Sequence, residues 1–479
     1  MVMQRLSGMD AAFLNMETPA QHMHVSGIMF LDPSTTEKGF SFERLAETVE
    51  ARMHLIPQFR RKVLRVPFDL DDPVWVDDPD FDISGHLFHV SLPEGSTRRF
   101  LADRVGEILS RPMERDRPLW RMWYFDGLED GTVGLLSMMH HSEVDGITGS
   151  DLMASLFDTE PDAAQPEPPS VPWHPERTPY KLELAASAAA DWVRHPLRRA
   201  SAVSRIGSSV LNMGRGVFGI GRDRLSAPLP FSAPRTPFNG TLTGERVVAF
   251  SQAGLDDLKL VKSTFGAKVN DVVLAACAMS LRSFLESWGG VPDKPLLVAV
   301  PVSVHSKASE RGGVNQVSNM FVRLPLEPDD PVELLKTIHA GSLDSKAAHD
   351  AMGPDMIQDL AQIAPPRLFR FLTRATAFVR IPDLVPPVLN TIISNVPGPP
   401  MPLYIAGARV LAIYPFGPLI ESVGLNLTVM SNMGNVDFGV LCCGDMIADP
   451  WPIADGWVKA IDDLTKAARE RGDAGTGSS

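Results

Sequence analysis

A proline-rich, acidic stretch, "DTEPDAAQPEPPSVPWHPERTP" (residues 158–179), divides the chain into two halves that need separate cores. Proline fixes φ and removes a backbone donor, so such a run neither continues a helix nor enters the middle of a sheet. On both sides of it, short apolar runs alternate with stretches of helical periodicity. Before it, "VSGIMFL" (25–31) suits a buried strand, and "SFERLAETVEARMHLI" (41–56) sets Phe42, Leu45, Val49 and Met53 at helical spacing, with Ser41 as N-cap. "TRRFLADRVGEILSRPM" is helical again. "WRMWYFDGLEDGTVGLLSMMHH" (120–141) reads as two strands joined at Asp130-Gly131. After it, "LDDLKLVKSTFGAKVNDVVLAACAMSLRSFLES" predicts a helix, a short turn and a long helix, and "PLLVAVPVSV" (295–304) predicts a buried strand. Strands alternating with helices in both halves predict an α/β architecture.

The expected bounds are 1–157 for a first domain, 158–244 for a proline-rich linker and basic helical bridge, 245–470 for a second domain and 471–479 for a disordered tail. Within the bridge, residues 180–225 combine small and apolar residues with Arg194, Arg198, Arg199, Arg205, Arg215, Arg222 and Arg224. Two readings stay open for them: a helical bridge between domains, or an amphipathic element on a lipid surface.

A length of 479 residues suffices for two or three domains with substantial cores. The net charge of −13 gives no reason to expect a nucleic-acid partner. Cys277, Cys442 and Cys443 make no disulfide framework and read as buried thiols. The N-terminus lacks a basic region followed by an unbroken apolar core, and no run of about 18 apolar residues appears. A cytoplasmic location is therefore expected. Gly214-Arg215-Gly216-Val217-Phe218-Gly219 fits GxGxxG but follows no convincing strand. His22 and His24 could share one strand face, yet no thiol or carboxylate cluster completes a metal site, and no metal is expected.

"LLSMMHHSEVDGITGSDL" (135–152) is the stretch most suggestive of chemistry. Neighbouring side chains on a strand point to opposite faces, so His140 and His141 cannot both enter one pocket unless the strand has ended. The second, nearer the turn, is the better candidate base, because imidazole titrates near neutrality. Asp145-Gly146 supplies a turn whose carboxylate can hold the loop. The competing reading is two core histidines at a strand end.

"HHSEVDG" fits the HHxxxDG signature of coenzyme-A-dependent acyltransferases. "LSGMDAAFLNMETPAQHMHVSG" (6–27), "DRPLW" (116–120), "FNGTLTGER" (238–246), "VNDVVLAACA" (269–278) and "SNVPGP" (394–399) follow in order. Together they resemble the bacterial wax ester synthase/acyl-CoA:diacylglycerol acyltransferases, from about residue 4 to about residue 465. The resemblance implies two chloramphenicol-acetyltransferase-like domains, each a mixed sheet flanked by helices, with an active-site tunnel between them. It implies His141 as general base, His140 in support, Asp145 and Gly146 in structural roles, and transfer from acyl-CoA, a co-substrate with no bound cofactor, to diacylglycerol or a fatty alcohol. Asn270 either donates to the developing oxyanion or caps the long helix. Trp120, Ser394 and Asn395 are candidate substrate-lining residues, with core packing the rival role for Trp120 and turn formation for the other two. Peripheral association with the inner membrane or lipid droplets is expected; oligomeric state is not readable. One departure is His305, where the family commonly places arginine after "VPVSV"; Arg311 is one possible substitute. Transfer to another hydroxylated metabolite, or a silent lipid-binding protein of the same fold, are the alternatives.

Overall fold

The computed structural model describes residues 4–144, 149–161, 163–194, 232–304, 316–352 and 380–476. The strands are β1 (Gln4–Arg5), β2 (His24–Asp32), β3 (Arg61–Leu64), β4 (Val74–Asp77), β5 (Leu87–Ser96), β6 (Trp120–Leu128), β7 (Val133–His140), β8 (Arg246–Gly254), β9 (Leu296–Val304), β10 (Gln316–Leu324), β11 (Thr391–Val396), β12 (Tyr404–Ile405), β13 (Ala408–Phe416), β14 (Leu425–Asn432) and β15 (Asn435–Cys443). They form two six-stranded sheets, ordered β12-β13-β2-β7-β6-β5 and β10-β9-β11-β14-β15-β8, and a small sheet β1-β4-β3. Both large sheets are mixed. β5 runs parallel to β6 in the first, β11 parallel to β9 and β14 in the second, and the other pairs are antiparallel.

Period-two alternation gives the first sheet two apolar faces. Ile28, Phe30, Leu136 and Met138 enter one core with the helix Arg98–Leu109. Met29, Leu31, Val133 and Leu135 enter the other with the helix Phe42–Arg52. Ser41 caps that second helix, its Oγ accepting from the Arg44 N–H at 3.3 Å. In the expected hairpin, Gly131 takes φ +71° and Asp130 Oδ1 accepts from the Thr132 N–H at 3.0 Å. The second sheet packs Leu425, Leu427, Phe438 and Val440 against the long helix Val269–Ser287 and the C-terminal helix Trp451–Thr476.

Three features differ from the sequence expectations. β12 and β13, within the second half of the chain, complete the first sheet: Arg409 through Phe416 pair with Asp32 through Ser26. Ala412, Tyr414 and Phe416 then join the core that also takes Ile28 and Phe30. The C-terminal helix extends to Thr476, beyond the expected start of the tail at 471. Its one proline, Pro452, sits in the first turn, and its glycines, Gly456, Gly472 and Gly475, cost only about 1 kcal/mol each. The proline-rich stretch is pinned around the first sheet: Asp158 and Tyr404 exchange backbone hydrogen bonds at 2.8 Å, and Arg60 lies 4.5 Å from the Trp173 ring.

The halves meet closely. A Cβ on Gly106 would lie 2.6 Å from the Arg246 carbonyl oxygen at the start of β8, and one on Gly439 of β15 would overlap the Pro415 carbonyl of β13. Glycine is needed at both for backbone to approach so near.

Candidate active site

β7 ends at His140, and a single helical turn, His141–Val144, begins at the next residue. The strand therefore stops where a change of direction separates the two imidazoles. The His141 N–H donates to the Met23 carbonyl at 2.9 Å, which ties the turn to the residue just before β2. His140 keeps the strand's parity and stands opposite His24.

His140 is buried and held from two sides. The Ser142 backbone N–H donates to its Nδ1 at 3.2 Å, and Ser142 Oγ lies 2.7 Å from the same nitrogen. A neutral ring accepting at Nδ1 carries its proton on Nε2. Nε2 faces Glu17 Oε2 at 3.5 Å, and Glu17 in turn pairs with Arg115. Burial, with Arg115 adding to it, holds the His140 pKa down at about 3.

The His141 ring stacks on Phe13 of the helix Gly8–Met16, with centroids 3.9 Å apart and planes inclined by 30°. Its Nδ1 is buried without a hydrogen-bond partner. Burial lowers its pKa to about 4, despite an opposing contribution from its own backbone carbonyl. At neutral pH the ring is uncharged, so one nitrogen holds a free lone pair. That is the protonation state a general base requires.

The remaining site candidates divide. Asp145 and Gly146, and also His305 and Arg311, lie outside the described residues, as does the Gly214–Gly219 stretch. Trp120 is fully buried between Phe59 and His86, at 4.6 and 4.5 Å, and its Nε1 donates to the Phe59 carbonyl at 2.8 Å. The "PLW" tryptophan thus packs the core that also takes Met29 and Leu31, the role set beside substrate lining for it in the sequence. The cap expectation for Asn270 is corrected. The long helix starts at Val269 with Lys268 as N-cap, and Asp271 accepts from the Lys268 N–H at 2.9 Å. Asn270 is inside the first turn, where its Oδ1 accepts from Asn395 Nδ2 at 3.4 Å. The structure thus brings together Asn270 and Asn395, from two separate motifs. Ser394 is half-buried on β11, paired with Thr428. Among the described residues, no hydrogen bond joins this asparagine pair to the histidines.

Phe13, Glu17, Arg115 and Glu143 escaped the sequence reading as individual residues. Glu143 is buried, and its Oε2 has no hydrogen-bond partner. Its place inside "HHSEVDG" was the available signal.

Two mixed sheets meeting at a seam, with a histidine pair where a central strand gives way to a turn, define a chain of the condensation-domain and acyltransferase fold class. The wax ester synthase/diacylglycerol acyltransferase from Marinobacter aquaeolei VT8 has this fold, with a TM-score of 0.69 at 24% identity, covering 97% of this chain and 100% of that one. So does the first condensation domain of the calcium-dependent antibiotic synthetase, with a TM-score of 0.53 at 13% identity over 97% of this chain and 96% of that one. Residues 6–273 match the wax ester synthase/diacylglycerol acyltransferase catalytic domain, and residues 314–465 match the C-terminal domain of the same proteins. A Mycobacterium tuberculosis protein provisionally named a diacylglycerol O-acyltransferase is 39% identical over 470 residues, 98% of this chain and 91% of that one. Another from the same organism, provisionally named likewise, is 32% identical over 474 residues, 97% of each chain. The chain belongs to the wax ester synthase/diacylglycerol acyltransferase family, and it is an acyltransferase of lipid metabolism.

Proposed function

We propose that the protein transfers a long-chain fatty acyl group from acyl-CoA to the hydroxyl of diacylglycerol or a fatty alcohol, with His141 as general base. The observation that carries this reading is the His141 imidazole: uncharged, stacked on Phe13 and with an unpartnered buried nitrogen, in a chain with an intact HHxxxDG signature. His141 takes the hydroxyl proton as the alcohol oxygen attacks the thioester carbonyl. The tetrahedral intermediate collapses, the carbon–sulfur bond breaks, and the imidazolium returns the proton to the departing thiolate. No covalent acyl-enzyme is needed. The Asn270–Asn395 pair offers amide donors for the thioester oxygen, whose charge grows in the transition state.

Support for a coenzyme A thioester comes from the family and from a structural relative. The starter condensation domain of rhizomide synthetase, with a TM-score of 0.52 at 11% identity, was solved in complex with C8-CoA and Leu-SNAC. Association with a lipid surface goes with poorly soluble substrates; no single helix among the described residues is long and apolar enough to cross a membrane.

The test offers labelled palmitoyl-CoA with diacylglycerol, hexadecanol or a short alcohol in parallel. Coenzyme A release that depends on a lipid alcohol supports the reading. Release with none of the three, or equal release from wild type and His141→Ala, rejects it.

A further inference from the structure

Glu143 lies two residues after the proposed base, inside the signature but outside its fixed letters. It is 3% exposed, and among the described residues it forms no ion pair. The helix Gly8–Met16 packs against this turn and carries Asp10, 8% exposed. Asp10 Oδ2 accepts from the Ser7 N–H at 3.3 Å in a capping box, while its Oδ1 is buried without a partner. Glu143 Oε2 is likewise buried without a partner. The same helix bears Phe13, which stacks on His141. One short helix thus packs on the turn that bears both His141 and Glu143.

Two buried carboxyl groups, each with an oxygen lacking a donor, can satisfy one another if one of them keeps its proton. Arg61 on β3 acts on Glu143 only weakly and from a distance, its guanidinium engaged by Gln4 Oε1 at 2.7 Å and by Asp77 Oδ1 at 3.6 Å. On its own segment, His140 and His141 are uncharged at neutral pH.

We propose that Glu143 is a positioning residue for His141, acting as a carboxylic acid that shares one proton with Asp10 and so clamps the turn His141–Val144 to the helix Gly8–Met16. The proposal rests on His141 being the base. Burial raises both acids above the ordinary carboxylate range, Glu143 the more strongly and with Asp10 adding to it. When the shared proton is lost at alkaline pH, two carboxylates face each other in a buried site and the clamp opens. The base then loses its alignment, which lowers kcat and leaves acyl-CoA binding intact.

The test compares wild type, Glu143→Gln, Glu143→Ala and Asp10→Asn. Glutamine keeps a donor and carries no titrating proton, so E143Q retains kcat within about threefold, as expected when a hydrogen bond is preserved. It also loses the alkaline fall in kcat that wild type shows. E143A loses turnover on the order of 10–100-fold at unchanged KM, the size of effect that misplacing a reacting group produces. D10N also abolishes the alkaline fall, because its amide donates to the Glu143 carboxylate. Infrared spectroscopy gives a readout independent of turnover: a protonated-carboxyl C=O band at neutral pH, shifted in D2O, that E143Q removes. If E143Q does not fold, D10N carries the infrared and pH comparisons. Coincident pH profiles for wild type and the folded variant, or a band unchanged by it, overturn the proposal. The band with no alcohol-dependent coenzyme A release instead overturns the proposed function, and release without the band overturns the clamp alone.

Discussion

Phe13 and His141 lie almost face to face, 3.9 Å between centroids, although 127 residues intervene between them in the chain. The stack covers one face of the imidazole and contributes to the burial that keeps the ring uncharged. Replacing Phe13 with alanine admits water to that face. We expect the acid limb of kcat/KM to move upward from about 4 toward the ordinary histidine value near 6.5, with a stability loss of about 0.5–1.5 kcal/mol for the aromatic contact. A pH–rate profile of Phe13→Ala checks both the direction and the limb; an unmoved limb removes the role given to the stack.

The two histidines separate by mutation. His141→Ala is expected to reduce turnover about 10²–10⁴-fold, the usual share of general-base catalysis. His140→Ala reduces it less and lowers the melting temperature, since it removes the acceptor of the Ser142 N–H and a neighbour of Glu17. A purified pair assayed with one acyl-CoA, with calorimetry alongside, measures the contrast.

Acid should destabilise the protein through the same residues. In the folded state His140 and His141 stay neutral down to about 3 and about 4, whereas in the unfolded chain they bind protons near 6.5. The unfolded state therefore holds more protons below 6.5, and stability falls from there through the folded values. Above 6.5 their contribution is flat. Denaturant midpoints between pH 3.5 and 8 test this, and a double variant, His140→Asn with His141→Gln, flattens the acid side.

Asn270 and its neighbour Asp271 should behave oppositely. Asp271 accepts the Lys268 N–H that caps the long helix and lies 2.6 Å from His339 Nδ1. Asp271→Ala is expected to cost about 1–3 kcal/mol. Asn270→Ala leaves the cap intact and the melting temperature nearly unchanged, so a loss of turnover in that variant reports on chemistry. A large stability loss from Asn270→Ala contradicts this division.

Trp120 is a test of packing. Trp120→Phe keeps the stack between Phe59 and His86 but loses the indole donor, at about 1–2 kcal/mol. Trp120→Ala costs about 3–5 kcal/mol. KM for acyl-CoA in Trp120→Phe should match wild type; a large rise would return this residue to the substrate path.

What could be read from the chain beforehand was local. Ser41 announces its helix because a cap needs only the next three residues, and Asp130-Gly131 announces its turn because glycine takes positive φ there. Strand parity also separates the histidines before any coordinates. Of the two readings of Asn270, the cap fails by two residues: Lys268 is the N-cap, which the Asp271 carboxylate decides. Trp120 beside the active strand was ambiguous because its neighbours Phe59 and His86 come from other segments. Asp10 lies in, and Glu17 caps, a helix that meets the turn His141–Val144 only through tertiary packing, so nothing near them in sequence signals the partnership.

The contribution of β13 to the first sheet bears on how the chain is made. Until residues 408–416 leave the ribosome, the outer rim of β2 has no neighbour, and a bare rim invites pairing with other nascent chains. The earlier half must wait for most of its successor to be synthesised before it is sealed. A fragment ending at 244 is therefore expected to aggregate when expressed alone, and a supplied peptide covering 404–416 to improve its solubility.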